Sequence, residues 1–274
     1  MKNYRSYAVI AFSGALVWLF TFSFWYDLHA LVVKDDKKEL KATNANLIPT
    51  EPLPDFSSYE DVGEKKDAFF SYLLPLVQQA NRQIKEERQF IQKMQRQTTF
   101  STEDTARLQR LAETYRVPFD DAFNNNFFKL MLRRVDTIPP SLVLAQAANE
   151  SGWGGSRFAR EGNNLFGQWC FKPGCGIEPA QRASHLQHEV ARFDTVYHSV
   201  MSYMRNLNRN LHYIDLRKTR EKLRAQGLAV TGQSLTPGLA KYSTRGEAYI
   251  AEIQGMIRAN DLEKYDQPSD AATL

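Results

Sequence analysis

The chain has little cysteine, little histidine and little excess charge. Two cysteines in 274 residues cannot build a disulfide scaffold, though they can make one bridge. Thirty-five basic against thirty-one acidic side chains leave a net charge of +4. That excess is too small to imply a nucleic-acid partner, although it tolerates an anionic polymer. Only one long apolar run exists, which excludes a polytopic membrane protein. Apolar residues make up 43% of the chain, enough to offset the entropy of ordering, so an intrinsically disordered protein is excluded too.

The apolar run is residues 8–26 (AVIAFSGALVWLFTFSFWY), nineteen positions without a charge, preceded by Lys2 and Arg5. About 20 apolar residues cross a bilayer's hydrocarbon core. Basic residues ahead of the run hold the amino terminus in the cytoplasm and export the remainder. A cleaved signal peptide is the alternative, but its apolar region is usually about 7–15 residues long and ends at a small-x-small site. Here the exit is Phe24, Trp25 and Tyr26. The expectation is one N-terminal transmembrane helix within residues 1–33, followed by a linker over 34–63 whose second half is rich in proline and acidic residues.

A helical pattern begins near Lys65. Phe70, Leu73, Val77, Ala80, Ile84, Ile91 and Met94 recur at three- and four-residue steps, broken only by Glu87. Pro75 lies inside this stretch and is expected to kink or split it. The stripe could bind a partner helix, but it is short for a coiled coil, which favours packing on its own domain. Two shorter helices follow at 105–115 and 120–134. Residues 64–118 thus read as accessory helices, 119–263 as the main domain and 264–274 as a tail.

Residues 136–154 carry the chemistry. Pro139 and Pro140 suit the first turn of a helix, where a missing N–H costs nothing. Leu142, Val143, Leu144, Ala145, Ala147 and Ala148 then cover nearly every face, so the helix is buried. Gly152 is placed to end it in a left-handed cap. Glu150 therefore falls in the last turn of an apolar helix, where desolvation and the negative end of the helix dipole both raise a carboxyl pKa. An acid kept protonated near neutral pH is what glycoside cleavage needs. The plainer alternative is a glutamate solvated at a frayed helix end.

The run Leu144-Ala-Gln-Ala-Ala-Asn-Glu-Ser-Gly-Trp-Gly-Gly-Ser-Arg, followed by Asn163-Asn-Leu-Phe-Gly, resembles the glucosaminidase domain of glycoside hydrolase family 73. The likeness covers roughly residues 120–261, and the wider layout is similar to that of Bax-type bacterial proteins. The resemblance implies a mainly α, lysozyme-like α+β domain with a small β-hairpin. It implies cleavage of the β-1,4 bond after N-acetylglucosamine in peptidoglycan, without a cofactor. It also implies Glu150 as the catalytic acid. With the N-terminal apolar run, the domain is expected in the periplasm or cell envelope, held at the inner membrane or, if the run is a cleaved signal, released from it. Lytic transglycosylases share the Glu-Ser pair but continue with Gly-Leu-Met-Gln, which is absent here.

Family members often carry a second carboxylate on a hairpin, which corresponds to residues 168–194. Glu178 and Glu189 are the candidates. A third possibility is that neither is needed, because the sugar's own N-acetyl group can act as nucleophile. Asp194 and Glu161 read as surface or capping carboxylates. Cys170 and Cys175 enclose Phe-Lys-Pro-Gly, a turn-forming sequence, and a bridge is the natural reading in an oxidising compartment. His185 and His188 follow, but the Cys-x4-Cys-x9-His-x2-His spacing is irregular for zinc, so no metal is expected. The resemblance places Tyr242, of the closing motif Leu239-Ala-Lys-Tyr-Ser-Thr-Arg-Gly-Glu-Ala-Tyr-Ile, beside the acid as a sugar support. Trp169 is the best stacking candidate, with Phe166 as a second, while Trp153 reads as core. Asn163 and Asn164 could bond an acetamido group or cap their turn. Tyr249 reads as packing, in line with Ile250, Ile253 and Ile257. Two other classes remain open: a wall-binding scaffold without catalysis, and a zinc-dependent amidase. The second would need about three protein ligands, for which the histidines are few.

Overall fold

The computed structural model describes residues 52–119, 122–180 and 188–266. The expected anchor in residues 1–33, most of the linker and His185 lie outside the described residues. Among the described residues no helix is long and apolar enough to cross a membrane.

The first long element is α1 (Val62–Gln95), 34 residues capped by the Asp61 carboxylate, which accepts from Glu64 N at 2.8 Å. Its buried face runs Phe69, Phe70, Leu73, Leu76, Val77, Ala80, Ile84, Ile91 and Met94, the helical spacing that makes a continuous apolar stripe. Of the kink or split expected at Pro75, the split does not occur, and the helix runs unbroken through it. Its ring and the preceding Ser71 are on the exposed face, where water can satisfy the carbonyl that loses its N–H partner, and the buried face carries the helix through. Glu87 interrupts the stripe because its charge is satisfied internally. Tyr115 Oη donates to its carboxylate at 2.5 Å and Arg205 pairs with it at 3.4 Å.

Next come α2 (Thr102–Thr114), opened by a Ser101–Asp104 capping box, and α3 (Asn125–Arg134), capped by Asn124. Then follows α4 (Pro140–Ser151), with Pro139 at its N-cap and Gly152 at φ 57° closing it in the left-handed region. Positions 141–148 of α4 are all buried. The short α5 (Arg157–Gly162) precedes three brief strands: β1 (Trp169–Cys170), β2 (Gly176–Ile177) and β3 (Glu189–Ala191). These form one antiparallel sheet in the order β1-β3-β2, with Trp169 opposite Val190 and Gly176 opposite Ala191. The expected two-stranded hairpin is therefore a three-stranded sheet with the last strand at its centre. Gly176 permits this, since a Cβ there would sit 2.0 Å from the Val190 carbonyl oxygen. The chain ends through α6 (Val196–Arg209), α7 (Ile214–Ala225), α8 (Gly232–Leu235) and α9 (Glu247–Ala259).

Residues 49–274 form one compact unit, in which α1 packs on α3, α4 and α6. The stretch expected as accessory helices thus supplies a wall of the same core as α4. Three contacts fix α4 itself. At its start, Ser141 N and Oγ donate to Asp266 at 2.9 and 2.6 Å, so Asp266, expected in the tail, serves as a distant cap. At its end, Trp153 sets its ring edge-on to Phe69 and Phe70 at 5.7 and 5.3 Å. Just before it, the buried Asp136 carboxylate accepts from Arg224 at 2.6 Å and faces Arg220 and Arg88 at 3.5 and 3.8 Å. This one group thereby ties the α3–α4 connection to both α1 and α7.

Burial works to raise the Asp136 carboxyl, but the guanidiniums of Arg220, Arg88 and Arg224 outweigh it and hold it below the ordinary aspartate value of 3.8. Its contribution is therefore complete above the unfolded pKa and is lost as pH falls through the lower folded value. Asp136→Asn should cost about 3–5 kcal/mol near neutral pH, by leaving buried arginines uncompensated. In urea titrations the gap to the wild type should hold constant down to about pH 4 and narrow below it. A gap that widens in acid would contradict this account.

Candidate active site

Glu150 sits half-buried in the last turn of α4. Burial is the largest influence on its carboxyl and pushes it above the ordinary value. Hydrogen bonds from Tyr249 and Asn149 work against that, the nearby Glu252 charge adds to it, and Arg245 opposes it. The Tyr249 hydroxyl, brought in by α9, donates to Glu150 Oε1 at 2.7 Å. Arg245 and Glu252, the charged groups nearest the carboxyl, are paired with each other at 2.8 Å.

Behind Glu150 the contacts continue inward. Gln146 lies four residues earlier on α4, hence on the same face, and its Nε2 donates to the Tyr249 hydroxyl at 2.7 Å. Tyr203 of α6 donates its hydroxyl to Gln146 Oε1. The Tyr203 ring lies flat on Phe166 at 3.9 Å, and the Tyr242 ring is parallel to Tyr249 at 5.4 Å. Tyr242 Oη donates to the Phe166 carbonyl at 3.1 Å. Burial pushes the phenols of Tyr203 and Tyr242 well above 10 and that of Tyr213 up to about 12. All three stay protonated at physiological pH, and Tyr203 and Tyr242 act as neutral donors. Three separated sequence blocks thus meet around the tyrosines beside Glu150: the apolar helix, the Asn-Leu-Phe-Gly turn and the closing motif.

A second group of candidates gathers at the sheet. Cys170 and Cys175 are joined by a disulfide. Glu189 accepts from Gly174 N at 2.9 Å and Gly176 N at 2.7 Å, so its carboxylate braces the bridged loop. Cys170, Cys175 and Glu189 present ligand atoms within 4.8 Å of one another, but the sulfurs are bonded together and offer no thiolate to a metal. Glu178 lies exposed just after β2, and its carbonyl accepts from Arg157 at 2.7 Å. Trp169 is 59% exposed and stacks on His188 at 4.1 Å, with Phe171, 67% exposed, two residues on.

Three of the candidate sugar contacts are engaged within the protein, the two asparagines in their turn and Phe166 against Tyr203. Asn164 is 1% exposed; its Nδ2 donates to the carbonyls of Gln168 and Ala191, and its Oδ1 accepts from Phe166 N and Gln168 N. That is the full complement of an amide. Asn163 caps α5 at φ 52° and bonds the Phe193 carbonyl at 2.9 Å. Phe166 is buried against Tyr203. Conversely, Tyr249, Gln146 and Tyr203 belong to the site although the sequence reading passed over them. Gln146 was findable, as a lone amide four residues before the acid in an otherwise apolar helix.

A sequence model of the glucosaminidase family, described as mannosyl-glycoprotein endo-beta-N-acetylglucosaminidase, matches residues 125–262, the span that holds α4, the sheet and α9. The chain is also 34% identical over 215 residues to Protein bax of Escherichia coli (strain K12), covering 78% of this chain and 77% of that one. No solved structure matches the chain. With Glu150, the Asn-Leu-Phe-Gly turn and the closing tyrosines all inside the matched span, the chain belongs to the glucosaminidase family, glycoside hydrolase family 73.

Proposed function

We propose that the protein hydrolyses peptidoglycan at the β-1,4 bond after N-acetylglucosamine, in a lysozyme-like domain with Glu150 as the general acid. The observation that carries the reading is a carboxyl raised by burial at a helix end, bonded by Tyr249 and lying in a cluster of tyrosines that includes Tyr242. Glu150 gives its proton to the leaving glycosidic oxygen as the C–O bond breaks and oxocarbenium character develops. Water then adds its oxygen at the anomeric carbon and returns a proton to the carboxylate. Charge at the anomeric carbon is met by the substrate's acetamide or by a hairpin carboxylate. Glu189 commits its oxygens to Gly174 and Gly176, which favours the acetamide or Glu178. The exposed Trp169 ring offers an apolar face for a pyranose. A wall substrate also suits an envelope-facing domain anchored through residues 8–26.

Purified sacculi provide the test. The wild-type protein should release soluble fragments with N-acetylglucosamine at their new reducing ends. Glu150→Gln should release none, while remaining folded and still pelleting with the wall. Equal release by the variant removes the assignment, N-acetylmuramic acid ends indicate a muramidase, and anhydro ends a transglycosylase. Wall binding without release by the wild type leaves only a scaffold.

Trp169→Ala should leave the melting transition nearly unchanged, because the ring is mostly exposed. Its affinity for glycan should fall about 3- to 10-fold, the equivalent of roughly 0.5–1.5 kcal/mol of aromatic contact. Pelleting isotherms on sacculi measure this, and unchanged affinity places the sugar elsewhere.

A further inference from the structure

The tyrosines behind Glu150 do more than fill space, because their hydrogen bonds have a direction. We infer that Tyr203, Gln146 and Tyr249 form a positioning chain that fixes the Tyr249 hydroxyl as a donor to Glu150 Oε1, leaving Oε2 to carry the transferable proton. This rests on the reading of Glu150 as the acid and adds to it three residues that touch no substrate.

The direction follows from donor and acceptor chemistry. A carboxamide has one accepting oxygen and one donating nitrogen that accepts nothing. Tyr203 Oη donates to Gln146 Oε1, so Gln146 Nε2 is turned toward Tyr249 at 2.7 Å. The Tyr249 oxygen must accept there, and its single proton is left for Glu150 Oε1 at 2.7 Å. All three side chains of the chain are buried, so water does not compete for these positions. A half-flipped chain, with Tyr249 accepting from a protonated Glu150, would require the Gln146 amide to turn over and the Tyr203 proton to point elsewhere.

This polarity suits an acid that must give up its proton and then regain it. Before transfer, desolvation favours the neutral carboxyl. After transfer, the new carboxylate already has a donor in place and needs no rearrangement to be stabilised. The groups facing Glu150 are Tyr249 and Glu252 from α9, Tyr242 and Arg245 from the segment before it, Tyr203 from α6, Tyr213 from the turn after α6, and Asn149 on α4 itself. Glu252 and Arg245 carry the charge among these, and they form a pair at 2.8 Å. Their opposed effects on the carboxyl partly cancel, so Tyr249 is the group whose removal gives a clean sign.

The test uses Tyr249→Phe and Tyr203→Phe in the full chain. The Glu150 carboxyl is titrated by carbon-13 NMR, identified by its loss in Glu150→Gln, and kcat/KM is followed against pH on a soluble wall oligosaccharide. A donor to the carboxylate lowers its pKa, so losing the donor raises it. Activity requires the protonated acid, so the alkaline limb moves the same way. Tyr249→Phe should move both the NMR midpoint and the alkaline limb up by about one pH unit, and kcat/KM should fall about ten-fold on the acid side. Tyr203→Phe should move both in the same direction by less, because the Gln146–Tyr249 contact survives.

A downward shift in Tyr249→Phe means that the tyrosine accepts from the acid, and it overturns the proposed direction. No shift in either readout reduces the chain to packing and overturns it as well. If the NMR midpoint rises as expected while Glu150→Gln keeps full activity, the hydrogen-bond direction stands and the general-acid reading falls.

Discussion

The withdrawal of one carboxyl from water is the constraint on which the rest depends. A glutamate at a helix end would ordinarily be hydrated and ionised. Glu150 is different because α4 packs against α1 and α9 and is buried from residue 141 to 148, which leaves the carboxyl at its end half-buried. Burial costs the charged form more than the neutral one, and that difference raises the Glu150 carboxyl above its ordinary value. The helix must therefore be held firmly, since any loosening would rehydrate its end. Asp266 at its start, Trp153 at its finish and the Asp136–arginine cluster before it fulfil that requirement from three directions.

The candidate residues fall into two groups, one inside the helices and one at the sheet. The first is the tyrosine group, with Tyr203 flat on Phe166 and Tyr242 parallel to Tyr249. Each ring limits the rotation of the next, so a hydroxyl that meets Glu150 is placed by side chains from α4, α6 and α9 together. The second group is the bridged loop, where strands of two or three residues gain little from their own ladders. A disulfide and the Glu189 carboxylate supply the order instead. On the proposed function, the proton chemistry would fall to the helices and sugar contact to the exposed Trp169 and Phe171.

Several features were legible because they rest on local rules. The Pro139–Pro140 start, the Gly152 stop and the apolar run between them define α4 before any tertiary contact is considered, and the three-four stripe defines α1. Others depend on what a side chain meets far along the chain. Tyr249 sits among isoleucines in a packing pattern, and periodicity reports that it is buried without reporting that its hydroxyl reaches Glu150. Asn164 could by sequence either bond an acetamide or cap its turn, and only the fold shows the amide given to the Gln168 and Ala191 carbonyls. Glu87 breaks a stripe that survives, because its partners Tyr115 and Arg205 come from other helices. The sheet was misjudged for a simpler reason: strands this short carry no alternation to count, and β3 enters between the two that precede it.

The most direct measurement is a crystal structure of the Glu150→Gln protein with a bound wall tetrasaccharide. The account predicts a glycosidic oxygen within about 2.6–3.2 Å of the residue 150 side chain, with N-acetylglucosamine supplying the anomeric carbon of that bond and Tyr242 beside it. A glycan lying along another face, with that side chain turned to bulk water, would contradict it.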